Sequence, residues 1–116
     1  MRISLQGSKL LLTDALKEYT IKRLASLDRF LKRFEHDGEV LLEVEIARVT
    51  RHHRKGDVYY VEFTLSLPKK MIRIEHTDSD VRAGIDAAHQ RLKVAVEEYK
   101  HMLEDKQKTP RVAGRK

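Results

Sequence analysis

Between Arg51 and Phe63 the chain reads RHHRKGDVYYVEF. Arg48, Arg51, Arg54 and Lys55 bring fixed positive charge to one short segment, and His52 and His53 add two imidazoles. Gly56-Asp57 then supplies turn chemistry ahead of an alternating strand. Cations at a hairpin tip have no pocket in which to activate a substrate, but they are well placed to grip phosphate. Adjacent imidazoles point to opposite sides, and no third ligand follows at metal-binding spacing. Hydrogen bonding or base stacking is the expectation for both, with extra charge in mild acid because an ordinary imidazole titrates near about 6.5.

Two further sets of cations follow helical periodicity. Lys22, Ser26, Arg29 and Arg33 recur at i, i+4, i+7 and i+11, with Lys32 beside them. That spacing lines positive charge along one ridge, as tracking a phosphate backbone requires, although a solvated helix face has the same look. Arg82, Lys93 and Lys100 share one side of a later helix, His89 lies close to them, and Arg91 falls elsewhere, near Glu98. Asp86, Glu97 and Glu104 border this second group, so ordinary surface ion pairing competes as its explanation. From Lys106 to Lys116 the chain adds Lys106, Lys108, Arg111, Arg115 and Lys116 and no acid. Blocks of one sign point to a polyanionic partner more than a uniform excess would.

Catalysis has little support. The chain has no Gly-rich phosphate loop, nucleophile elbow or His-x-x-x-His pair. The lack of cysteine removes disulfides, thiolate nucleophiles and Cys-based zinc sites together. Glu43 and Glu45, with Glu62 as a neighbour, could form a carboxylate pair, yet the open face of a sheet reads as a solvated acidic surface. Four Tyr, three Phe and no Trp, mostly needed for the core, do not make a base-stacking platform, although Tyr60 faces outward. The expectation is a protein that is not an enzyme and holds no metal or cofactor.

These side chains need a scaffold, and 116 residues at 41% hydrophobic content suit one domain. Met1, Ile3 and Leu5 alternate with polar residues in a first strand. Thr13 and Asp14 offer an N-cap to one long helix running to about His36, where Asp37-Gly38 stops it. At 100° per residue its apolar face collects Leu16, Tyr19, Leu27, Phe30, Leu31 and Phe34, with Leu24 near the edge. A second strand centres on Val40 to Ile46, a third on Tyr59 to Leu67, and a short fourth on Ile72 and Ile74 after the Pro68-Lys69-Lys70 turn. Asp78, Ser79 or Asp80 caps a last helix with Val81, Ile85, Ala88, Leu92, Val96, Tyr99 and Leu103 on one stripe. Gly84 inside that helix implies close packing.

The predicted architecture is therefore α+β, a two-layer β-α-β-β-β-α domain with a four-stranded mixed sheet and both helices on one face. A right-handed crossover makes the first two strands parallel, and hairpins join the rest antiparallel. Residues 1–106 form the domain, and 107–116 read as a flexible basic tail. The N-terminus has neither a long apolar run nor a small-residue cleavage site, and no stretch approaches the ~20 apolar residues of a membrane span. A soluble cytoplasmic protein without a membrane partner or small-molecule substrate is expected.

Several local patterns, in order, resemble the ribosome hibernation-promoting factor family, also called ribosome-associated inhibitors or subunit-interface proteins, over residues 1 to about 104. They are the opening strand, the TDAL helix start, Leu27, Arg29 and Phe30 in an LxRF pattern, the HHRKG turn, the AGIDAAHQRL segment and Tyr99-Lys100. The resemblance implies a stress or stationary-phase factor that sits in the small ribosomal subunit near the decoding centre. It would contact rRNA, and possible ribosomal-protein neighbours, through both helices, and silence translation by occupying tRNA and mRNA sites. The RNA-contacting set would comprise Lys22, Arg29, Lys32, Arg33, Arg51, His52, His53, Arg54, Lys55, Arg82, Arg91, Lys93 and Lys100. The chain departs from the family in reading RLKVAV at 91–96 where KLERQL is common, so Val94 replaces an expected arginine and Glu97 and Glu98 follow. A general structured-RNA binding module and a protein-interaction module using the acidic side of the last helix are the competing readings.

Overall fold

The structure, a computed structural model, describes residues 1–49 and 56–113, with side chains through Lys106. Its elements are β1 (Arg2–Ser8), α1 (Asp14–Ala25), α2 (Asp28–Glu35), β2 (Leu41–Val49), β3 (Val58–Leu67), β4 (Lys70–Asp78) and α3 (Val81–Ala113). The strands form one mixed sheet in the order β1-β2-β3-β4. β1 runs parallel to β2, while β2–β3 and β3–β4 are antiparallel. The α+β class and the strand pairing agree with the sequence reading.

Alternation explains which face is buried. Leu5, Val44, Phe63 and Ile74 lie opposite one another across the four strands, and Ile3, Leu42, Leu65 and Ile72 form the neighbouring row. These rows join Leu24, Leu27, Leu31, Ile85, Leu92 and Val96 in one continuous core. Each fully buried leucine contributes about 1.5–3 kcal/mol relative to exposure, so the leucine series of the helices is a large share of the fold's stabilisation. The other sheet face carries the row Gln6, Glu45, Glu62 and Glu75.

The first helical segment differs from expectation. It is two helices, α1 and α2, separated at Ser26-Leu27, not one. The Ser26 hydroxyl donates to the Arg23 carbonyl at 2.8 Å, and backbone bonds from Leu27 to Leu24 and from Phe30 to Leu27 tighten the chain to three-residue steps. Such a side-chain bond competes with the helical ladder. The break keeps Leu24, Leu27 and Leu31 all fully buried, so Leu24 lies at the centre of the apolar face. Tyr19 and Phe30 move to its half-exposed margin.

The helix starts are built as the sequence suggests. Thr13 Oγ1 accepts from the Leu16 N–H at 3.2 Å, and Asp80 Oδ1 accepts from the Arg82 N–H at 3.0 Å. A Cβ at Gly84 would stand 3.3 Å from both Asp78 Cβ and Val61 Cγ2, so α3 approaches the sheet closely there. α3 itself is 33 residues long and stays helical to Ala113, past Lys106, the last residue that the sequence reading gave to the domain. Extending an existing helix adds one hydrogen bond for each residue fixed, which favours continuation. Among the described residues no helix is long and apolar enough to cross a membrane.

Candidate nucleic-acid interface

The two cationic ridges meet. Phe30, half-exposed on α2, has Arg29 at 4.9 Å from its ring centroid, Lys93 at 5.3 Å and Lys100 at 5.4 Å. One ring thus collects cations from α2 and α3. One turn on, Arg33 lies 5.4 Å from the Phe34 ring, which stacks on Tyr99 at 5.6 Å. Towards the other end of the seam, Tyr19 of α1 carries Arg82 of α3 at 5.3 Å and Arg23 at 5.4 Å. Tyr19, Lys22, Arg23 and Ser26 line a cleft along the C-terminal half of α1.

Stacking has a chemical consequence. A guanidinium or ammonium held over a ring gains about 0.5–1 kcal/mol at an exposed site, while its outward N–H groups still point to solvent. An arginine positioned this way presents its fork to a phosphate with less side-chain entropy left to lose. Like charges are also being concentrated. Lys100 has its pKa lowered by burial first and then by Arg33, with Glu97 and Glu104 acting the other way. A polyanion would relieve that repulsion.

Of the predicted residues, Arg29, Arg33, Arg82, Lys93 and Lys100 come together on the α1–α2/α3 seam, with Lys22 in the cleft beside them. Arg29 and Arg33 of the first ridge therefore lie beside α3. Lys32 is exposed on α2 and shares none of these ring contacts. Arg91 belongs elsewhere: its Nη1 donates to the Glu75 carbonyl at 2.5 Å, on the β4 side of α3. Two residues of helix separate it from Lys93 by some 200° around the axis, so it lies away from the seam. Val94 is 44% exposed, one position from Lys93, which does reach the seam.

Arg51, His52, His53, Arg54 and Lys55 lie outside the described residues. The strands that flank them end in the Val49–Val58 pair, and Tyr59 pairs with Asp78 just before α3 begins.

Sequence reasoning missed Tyr19 and Arg23. Tyr19 donates to Asp86 Oδ1 at 2.6 Å, Arg23 Nε lies 2.9 Å from the same oxygen, and Arg23 Nη2 donates to the Tyr19 hydroxyl at 3.2 Å. Their i, i+4 spacing was the available signal. Asp86 is thereby committed to this network, while Glu97 and Glu104 act on Lys100 further along the seam.

The open sheet face is organised differently. The single Tyr60 phenolic proton is shared between Glu75 at 2.9 Å and Glu62 at 3.1 Å, and Arg73 Nε donates to Glu62 at 2.6 Å. Burial and the Glu75 hydrogen bond push the Tyr60 phenol up to about 12. Among the described residues no group of three His, Asp or Glu side chains is arranged to hold a metal.

Comparison with known proteins gives a consistent result. The family model described as Sigma 54 modulation protein / S30EA ribosomal protein matches residues 3–104. Ribosome hibernation promotion factors of Staphylococcus aureus (strain COL) and Lactococcus lactis subsp. cremoris (strain MG1363) are each 26% identical over 106 residues. Those matches cover 91% of this chain but 52% and 53% of the relatives, so the chain spans about half the length of the curated relatives it matches. The crystal structure of the Thermus thermophilus Protein Y N-terminal domain superposes with a TM-score of 0.69 at 33% identity, covering 85% of this chain and 99% of that one. A ribosomal subunit interface protein from Coxiella burnetii gives 0.66 at 20% identity, covering 87% and 99%, and shares the fold.

Proposed function

The chain belongs to the Sigma 54 modulation protein / S30EA ribosomal protein family, and on that premise we propose that it is a ribosome-binding factor that silences translation by occupancy. It acts in the cytoplasm, on the small ribosomal subunit, where it covers part of the path of tRNA and mRNA under stress or in stationary phase. rRNA phosphates are its main contacts, with neighbouring ribosomal proteins at the rim. No bond is made or broken.

The observation that carries this reading is the convergence of Arg29, Lys93 and Lys100 on Phe30, flanked by Arg33. Cations from separate helices are held in a line on a rigid support and have few acids to pair with, which suits a folded phosphate backbone. Names among the relatives point to the ribosome as the source of that backbone.

The test is a ribosome sedimentation profile with and without the protein, paired with cell-free translation. The protein should travel with small subunits or whole ribosomes at low salt and inhibit translation in proportion to occupancy, with excess mRNA and tRNA reversing both. Equal affinity for unrelated RNA duplexes at matched salt would instead identify a general RNA-binding module. Binding that survives nuclease and high salt would identify a protein partner.

A further inference from the structure

His89 sits inside the cationic seam, and its geometry determines where a proton can go. Its Nε2 lies 3.0 Å from Ser26 Oγ at the α1–α2 break. The Ser26 hydroxyl has one proton and gives it to the Arg23 carbonyl at 2.8 Å. Ser26 Oγ is therefore the acceptor from His89, so Nε2 carries the hydrogen and Nδ1 is the basic nitrogen. Nδ1 accepts no hydrogen bond among the described residues.

We propose that His89 makes binding at the seam proton-linked: a phosphate lodged between Arg23 and Lys93 is held together with a proton taken up on His89, so affinity rises as pH falls. This rests on the seam being the phosphate-binding surface. In the free protein the imidazole lies within the electrostatic reach of Arg23 of α1 and Lys93 of α3, and Lys22 shares the cleft lined by Arg23 and Ser26. Asp86, the acid among the described residues that acts on His89, is already engaged by Tyr19 and Arg23. Burial first, then Arg23 and Lys93, hold the His89 pKa below its ordinary value, with Asp86 opposing them. An arriving phosphate reverses the sign of the local field, and the protonated ring then adds a charge to the contact. Linkage requires the complex to tighten over the interval between the free and bound titrations.

The experiment measures Kd for purified ribosomes from about pH 8 to about pH 5.5 at constant ionic strength, for the full wild-type chain and for His89→Gln. Glutamine keeps an amide able to donate to Ser26. Taking the difference between the two pH profiles removes protons that belong to the ribosome or to the other histidines. The wild type should tighten relative to His89→Gln as pH falls, approaching about tenfold per pH unit for one full proton. Calorimetry in two buffers of different ionisation enthalpy should show wild-type proton uptake that His89→Gln lacks. Parallel pH profiles with equal uptake would overturn this inference and leave ribosome binding intact. Wild-type protein that binds at no pH would overturn the functional reading and this one with it.

Discussion

Phe30 is the pivot of the site because its half-exposed ring brings together three cations from two helices. Position on the helix, more than charge itself, then decides function. Lys93→Glu places an anion at the ring and should weaken ribosome binding by roughly tenfold or more, since each phosphate contact contributes about one unit to the salt slope. Arg91→Glu, two positions away, removes a bond to the Glu75 carbonyl and should leave affinity within about twofold, because exposed charges away from the contact have little effect. Titration of fluorescently labelled variants against ribosomes separates the two. Both ridges were legible as spacing. Their meeting was not, because periodicity within one helix carries no information about which neighbour it packs on. Arg23 and Tyr19 escaped for the same reason: their partner Asp86 is 67 positions from Tyr19 in sequence.

The helices and strands hold this arrangement through a small number of crowded points. Leu27, fully buried at the break between α1 and α2, sets the angle at which α2 delivers Phe30 and Arg29. Leu27→Ala should cost about 2–5 kcal/mol in urea denaturation, the range for buried leucine truncation. Gly84→Leu should lower the melting temperature, because overpacking a close contact costs about 1–3 kcal/mol and α3 has no room above Val61. On the far face, Tyr60 gives a pH test. Its phenol is stabilised in the neutral form, so the contribution is complete below the ordinary tyrosine value of about 10 and disappears as pH rises through about 12. An ultraviolet titration should find one tyrosine ionising well above the ordinary value of about 10, and loss of that late phase in Glu75→Gln would tie it to the contact with Glu75. At this scale the strands and their pairing were readable, because alternation and short connections leave few alternatives. The helix break was not, because Ser26 reads as an ordinary exposed residue until its hydroxyl turns back on Arg23.

Taken whole, the molecule is electrostatically two-sided. The seam of α1, α2 and α3 gathers cations, whereas Glu45, Glu62 and Glu75 run in one row across the open sheet face with Arg73 paired to two of them. A net charge of +6 understates this separation, which orients the protein as it approaches a polyanion and favours one docking face. The most direct test of the account is the salt dependence of ribosome affinity, compared between the wild type and the triple variant Lys22→Glu, Arg29→Glu, Arg33→Glu. The account predicts a straight, steep fall of log affinity with log salt for the wild type, and for the variant a large loss of affinity with a slope shallower by about 3. Equal slopes and equal affinities would mean that the ribosome does not touch the seam, and would contradict the account.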